Sequence, residues 1–339
     1  MLALFKRLAQ ISLFLVFMIV IAGSIVRTTG SGMGCPDWPK CFGRLIPPTN
    51  ISQVSWAPEK EFSEGEMIVH EEQLWTAKTD MVAGISFEEN NWEAYTLHDY
   101  HIYNPVHTWI EFCNRLLAPI SGIPVFITWI FALIIWITVK RGDLFFFMTG
   151  AVAFMGFEAW LGKIVVEGNL VPGHISMHMI GTLFVLAFLI AAILRTEKNS
   201  RQPINKSAWL TLVLMLALLV QIVMGTQIRE SVDGLIDAEV DRSLIVGELD
   251  IWFYVHRSFS ILMVILTGWL VWVERKTGLS GYTKWVVILT LLEIVAGVIL
   301  SYFSMPAWLQ PVHLWLAVLM FMALFAGWIK LRCPAQGLG

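Results

Sequence analysis

The sequence predicts an all-α membrane protein: eight transmembrane helices arranged as two pseudo-symmetric four-helix bundles, with both termini cytoplasmic. Three observations predict it: apolar runs of spanning length, a one-sided distribution of Lys and Arg, and an internal repeat. Of the 339 residues, 57% are hydrophobic and only 14% are charged, whereas soluble chains carry charge at about a quarter of their positions. A bilayer core about 30 Å thick needs roughly 20 apolar residues in a helix. That ruler places spans at residues 8–26, 108–139, 144–165, 171–194, 208–228, 251–273, 282–303 and 307–329. The second span is long and contains Pro119 and Pro124, so a kink or a start outside the bilayer is expected. The first has no small-residue cleavage site before the Gly-rich stretch that follows, and is read as a retained span.

Orientation follows from the cations. One set of span ends carries Lys6, Arg7, Lys140, Arg141, Arg195, Lys198, Arg201, Lys206, Arg275, Lys276, Lys284, Lys330 and Arg332, with few acids. The opposite ends hold the acidic stretches 27–105 and 229–250. The basic side is therefore expected to face the cytoplasm. The net charge of −3 gives no sign of a nucleic-acid partner. Residues 46–103 form the one sizeable segment outside the spans, mixing acids such as Glu59, Glu61 and Glu64 with Trp56, Trp75 and Trp92. Its aromatics favour surface packing over disorder, with about half a dozen helical turns as the expected local structure.

The third and fourth spans match the seventh and eighth at a constant offset of 135 residues: Glu158 maps to Glu293, Gly162 to Gly297, and His178 to His313. The first matches the fifth at an offset of 202, with Gly23, Arg27 and Gly32 mapping to Gly225, Arg229 and Gly234. The second and sixth align through Asn114-Arg115 and His256-Arg257. The chain thus reads as two halves, 1–200 (with the outer segment 46–104) and 201–339. An even number of spans per half makes them parallel repeats about an axis along the membrane normal.

Ionisable groups inside a bilayer are costly and generally face a bundle interior. Asn114, His178, His256 and His313 occupy four repeat-equivalent slots, all in spans that enter from the non-cytoplasmic side. Imidazole is a strong axial ligand for heme iron. Taken singly, each histidine reads first as a hydrogen-bonding partner for a neighbouring helix. Two at equivalent depth in one half, His256 and His313, favour a bis-histidine heme site. His174 is closer to the boundary and reads as interfacial; His70, His98, His101 and His107 read as solvated. Glu111 and Asn114 share a helix face, so Glu111 can relay a proton into the same pocket or pair with Arg115. Arg115 and Arg257 suit propionates. Glu158, Gln221 and Glu293 each stand four residues before a glycine, a spacing that suits close helix packing plus one interhelical hydrogen bond, with proton conduction as the minority alternative. Cys35 and Cys41 lie six apart on the oxidising side, where they can form a small-loop disulfide; a zinc site lacks a second ligand pair. Cys113 and Cys333 are expected to be unpaired.

The run from Gly23 through Arg27, Gly30, Gly32, Cys35, Trp38 and Cys41 closely resembles the first-loop motif of the heme A synthases. The resemblance continues through Glu111-x-x-Asn114-Arg115, Gly162 to His178, Val255-His256-Arg257 and Gly297 to His313, and covers all eight spans. It implies oxygen-dependent oxidation of the C8 methyl of heme O to a formyl group, through an alcohol, in the cell (inner) membrane with the heme sites towards the non-cytoplasmic side. Heme b would sit between His256 and His313, with Arg257 nearby. The substrate heme would lie in the N-terminal half with His178, Asn114 and Arg115, and Glu111 near the reacting site. Cys35 and Cys41 would form a redox-sensitive pair. A heme O synthase is the implied upstream partner, membrane lipid the surroundings, and homo-oligomers are compatible with it. The family pattern has histidine in the Asn114 slot. Asparagine is a poor iron ligand, so either His107 or His174 substitutes or, as is expected here, His178 is the single protein ligand of the substrate, with the Asn114 side open to oxygen or peroxide. The competing readings are an electron-transfer cytochrome b and a transporter or heme-handling protein.

Overall fold

The computed structural model describes residues 1–96, 102–167, 174–197 and 205–332. Nine α-helices occur among them: α1 (Leu2–Thr28), α2 (Pro105–Val139), α3 (Gly142–Glu167), α4 (His174–Leu194), α5 (Asn205–Asp237), the one-turn α6 (Ile245–Glu248), α7 (Ile251–Glu274), α8 (Gly281–Tyr302) and α9 (Leu309–Arg332). All except α6 are long and apolar enough to cross a membrane, which agrees with the eight expected spans. Helix α2 runs unbroken for 35 residues, about 52 Å at 1.5 Å per residue. That exceeds the hydrocarbon core, so part of it projects beyond the bilayer. Helix α5 extends more than two turns past the apolar stretch, through Arg229 to Asp237. His98, His101, Lys198, Arg201 and Cys333 lie outside the described residues, as does the side chain of His174.

Two compact units emerge. The first comprises Met1–Ile21, Ile120–Gly156 and Met179–Gly339; the second comprises Ala22–Pro119 and Phe157–His178. These units divide helices α1 to α4 along their length, so they differ from the sequence halves, which rest on the repeat.

In the first unit α5 packs on α7 and α9, and α8 packs on the same two helices, around a core that includes Leu214, Leu218, Leu270, Val286, Val318 and Leu324. Polar ties lock the helix ends. Glu274, 1% exposed, accepts from Ser207 Oγ at 2.7 Å and from the Ser280 amide at 2.8 Å, joining α5, α7 and the start of α8. Ser280 caps α8 through the Thr283 amide at 3.0 Å, and Asp250 caps α7 through the Trp252 amide at 3.0 Å. Glu274→Ala is expected to cost about 2 to 3 kcal/mol, because two buried donors lose their acceptor. A thermal-denaturation midpoint measured on detergent-purified protein checks it. Just after α4, Glu197 receives Lys6 Nζ at 2.8 Å and Lys330 Nζ at 2.6 Å. Burial works against its charge, but Lys330 and Lys6 outweigh burial and hold the carboxyl below its ordinary value.

The second unit corrects the expectation of helical turns in the outer segment. Apart from two short 3-10 turns, its regular structure is strand: β1 (Glu61–Phe62), β2 (Met67–His70), β3 (Gln73–Ala77), β4 (Met81–Val82) and β5 (Trp92–Ala94). Antiparallel β2, β3 and β5 form one sheet, with Met67 opposite Thr76 and Trp75 opposite Ala94; β1 and β4 pair separately. The physical reason is a hairpin: Glu71 and Glu72 both adopt positive φ, 49° and 59°, the conformation a two-residue turn needs. The flanking Met-Ile-Val-His and Gln-Leu-Trp-Thr-Ala segments are β-branched and aromatic. The expected aromatic packing is present. Phe62 and Phe87 pack on Trp92 at centroid distances of 5.0 and 5.7 Å. His70, expected to be solvated, instead lies against Phe87 at 4.2 Å.

Candidate functional site

In the second unit the loop after α1 is built around Cys35 and Cys41, which form a disulfide, as their spacing allows. Asp37 closes the loop from inside by accepting the amides of Phe42 (2.6 Å) and Gly43 (2.9 Å). Burial pushes the Asp37 carboxyl above its usual value, and those amides together with Arg115 pull it back. Gly43 turns at φ +73° with its Cα against the Gly65 carbonyl, where no Cβ fits. Gly34 is similarly pressed on the His107 carbonyl of α2, and Thr108 Oγ1 donates to the Gly34 carbonyl at 2.8 Å.

This docking brings the loop onto Glu111. The carboxylate is 4% exposed; its Oε2 accepts the Cys35 amide at 2.8 Å, and its Oε1 pairs with Arg115. Arg115 donates from Nε to Glu111 at 3.0 Å, from Nη2 to the Cys35 carbonyl at 3.0 Å, and from Nη1 to the carbonyls of Lys40 (3.1 Å) and Asp37. A guanidinium has five N–H donors, and all are engaged within the chain. Arg115 thereby holds the loop to α2. The ion pair weighed as the alternative for Glu111 is formed, and Glu111 also contacts the disulfide's backbone. The sequence did not point to Asp37 or Thr108 as parts of this assembly; the loop's contacts depend on its fold rather than on spacing.

Two helices of the same unit bring Glu158 and His178 together, the carboxylate lying on His178 Nδ1. Asn114 faces Gly23, where a Cβ would stand 3.8 Å from Asn114 Oδ1. Cys113 is unpaired and exposed among the described residues.

In the first unit His256 (α7) and His313 (α9) face each other with ring centroids 6.5 Å apart and planes at 81°. Two imidazoles on opposite faces of one iron, with metal–nitrogen bonds of about 2 Å, hold their centroids about 6 Å apart. The pair fits. Glu293 of α8 lies on His313 Nδ1, which leaves Nε2 for a metal, the arrangement ligating histidines normally adopt. Neither His256 Nδ1 nor His313 Nδ1 has a well-aligned hydrogen bond among the described residues, and Gln221 Oε1 and Glu293 Oε1 have none; His313 Nδ1 has the Glu293 carboxylate against it, while Gln221 Nε2 donates to the His256 carbonyl at 3.0 Å. The repeat glycines wall these slots: a Cβ on Gly225 would stand 3.4 Å from His256 Cε1, and one on Gly297 3.9 Å from His313 Cε1. Arg257 is exposed and lies over Tyr254 (5.3 Å) and Phe253 (5.9 Å). The interhelical hydrogen bond expected of Gln221 is present. For Glu158 and Glu293 the partner is the slot histidine itself, which the offset of 135 foreshadowed by pairing Glu158-His178 with Glu293-His313.

Comparison with known proteins places this geometry in context. Residues 6–325 match the profile of the COX15-CtaA family, described as cytochrome oxidase assembly protein. The chain is 25% identical to the heme A synthase of Brucella anthropi, over 98% of this chain and 94% of that protein. It is 23% identical to the heme A synthase of Flavobacterium psychrophilum, over 88% and 90%. The heme A synthase of Shewanella oneidensis is 24% identical over 64% of this chain, a match that spans about half of that relative, 54%.

Proposed function

Because the chain belongs to the COX15-CtaA family of cytochrome oxidase assembly proteins, we propose that it is a heme A synthase, oxidising the C8 methyl of heme O to a formyl group with molecular oxygen. The observation that carries this reading is the facing pair His256 and His313, at a separation that suits one six-coordinate iron. Relatives named heme A synthase support the same activity. In this reading His256 and His313 hold heme b, and Arg257 meets a propionate. Bound there, heme b supplies one-electron transfer.

The rest falls to the residues of the second unit. His178, oriented by Glu158, binds the iron of heme O from one face. Asn114 offers a carboxamide that is a poor iron ligand, so the other face stays open to oxygen. The methyl-to-formyl conversion releases protons, and reduction of oxygen consumes them. Glu111 is the buried group of this unit placed to hold or deliver one, while the loop amide of Cys35 and the Arg115 guanidinium fix its carboxylate in place. The disulfide loop over it shields the carboxylate from bulk water. The protein acts in the cell membrane, with its termini cytoplasmic and both heme sites towards the other side, and a heme O synthase supplies its substrate.

Extracted pigment tests the reading. Full-length protein purified from cells that make heme O is expected to yield heme b together with hydroxyalkyl- or formyl-heme on chromatography. Heme b alone would favour an electron-transfer cytochrome; no heme would sink both readings. In the same sample the substrate heme is expected to be five-coordinate and high-spin. A second bis-histidine low-spin signal would overturn the single-ligand role of His178.

A further inference from the structure

Four glycines mark the repeat: Gly23, Gly162, Gly225 and Gly297. The residue four positions before each differs with what fills the matching slot. Glu158 precedes Gly162, and its carboxylate lies on Nδ1 of His178. Glu293 precedes Gly297, and its carboxylate lies on Nδ1 of His313. Gln221 precedes Gly225 and bonds His256 through the backbone carbonyl at 3.0 Å. Ile19 precedes Gly23, and the corresponding slot holds Asn114. A polar side chain therefore stands at this register wherever the slot is histidine, and an apolar one stands where it is not.

We propose that Glu158 and Glu293 are positioning residues for the slot histidines they lie on, and that the absence of such an acid on His256, where Gln221 reaches only the backbone carbonyl, makes the two histidines of the C-terminal site unequal. This rests on the heme reading given above. An imidazole whose Nδ1–H is held by a carboxylate gains ligand basicity. His313, with the Glu293 carboxylate against its Nδ1, is then the stronger donor, and His256, whose Nδ1 has no partner among the described residues, the weaker. A more basic ligand stabilises the ferric state and lowers the reduction potential. The same register puts a carboxylate behind His178, so the single ligand of the substrate heme is also a strong donor.

Redox titration and electron paramagnetic resonance of the purified full-length protein with its heme b test this. Glu293→Gln is expected to keep heme b, raise its midpoint potential and alter its low-spin g values. Gln221→Glu is expected to move the potential in the opposite direction. If both variants match the wild type in potential and g values, the proposal is overturned, and the three residues serve helix packing alone. Should Glu293→Gln fail to accumulate, an unchanged potential in Gln221→Glu overturns it equally. A wild-type protein without heme b would overturn the proposed function and this inference together, whereas heme b with insensitive variants would overturn this inference alone.

Discussion

His313→Ala is expected to reduce the heme b content of the purified protein to below about a tenth of the wild type. Disturbing even the outer partners of a metal ligand typically costs 10- to 100-fold in metal affinity, so removal of the ligand itself sets at least that scale. His256→Ala is expected to do the same, because the two rings face each other across one site. The variants should differ in stability. His313→Ala leaves the Glu293 carboxylate without the ring it lies on, and a partly buried charge deprived of its partner is strongly destabilising. His256→Ala strands no charge and should melt closer to the wild type. Free imidazole separates ligand loss from misfolding: it can enter the vacated space, and a restored low-spin absorption band marks an intact pocket. Full heme b occupancy in either variant would remove the pair as axial ligands.

Glu111→Gln is expected to lower turnover at least 100-fold, within the range that a positioned acid–base group supplies, while heme content stays near the wild type. The substitution is informative because glutamine keeps an oxygen for the Cys35 amide, now at 2.8 Å from Oε2, and so keeps the loop attached. It removes the capacity to exchange a proton and the charge that faces Arg115, whose carbonyl acceptors on the loop remain. Glu111→Ala should also release the loop, detected as faster reaction of Cys35 and Cys41 with a thiol label after mild reduction. The fraction of extracted heme in oxidised form measures turnover for both. Wild-type turnover in Glu111→Gln would reduce Glu111 to a tether.

Hydropathy made the spans legible, because a bilayer imposes a length that composition reveals directly. It failed where lengths are short: β1 to β5 run two to five residues, too few for a period-2 pattern to stand out from neighbouring turns. It also ended the fifth span early, since residues after Ile228 turn polar although α5 continues to Asp237. The histidine slots and their glycines were legible through the repeat, which needs no knowledge of helix rotation. What the repeat could not reveal is which neighbour each polar side chain meets. Glu158 and Glu293 were visible as a matched pair, yet their contact with His178 and His313 depends on how α3 faces α4 and α8 faces α9. The loop contacts of Arg115 were hidden for a related reason. Spacing identified a guanidinium near the pocket, but the folded loop supplies it with three carbonyls and a carboxylate before any ligand arrives.

The salt-bridged knot of Lys6, Glu197 and Lys330 has a consequence for synthesis. The carboxylate is separated from its second cation by 133 residues of chain, on the order of ten seconds of translation at 5–20 residues per second. During that interval Glu197 can hold only the lysine of the first helix, and the final helix completes the clasp when it leaves the ribosome. A nascent chain that stops before Lys330 therefore carries a half-neutralised carboxylate just after α4.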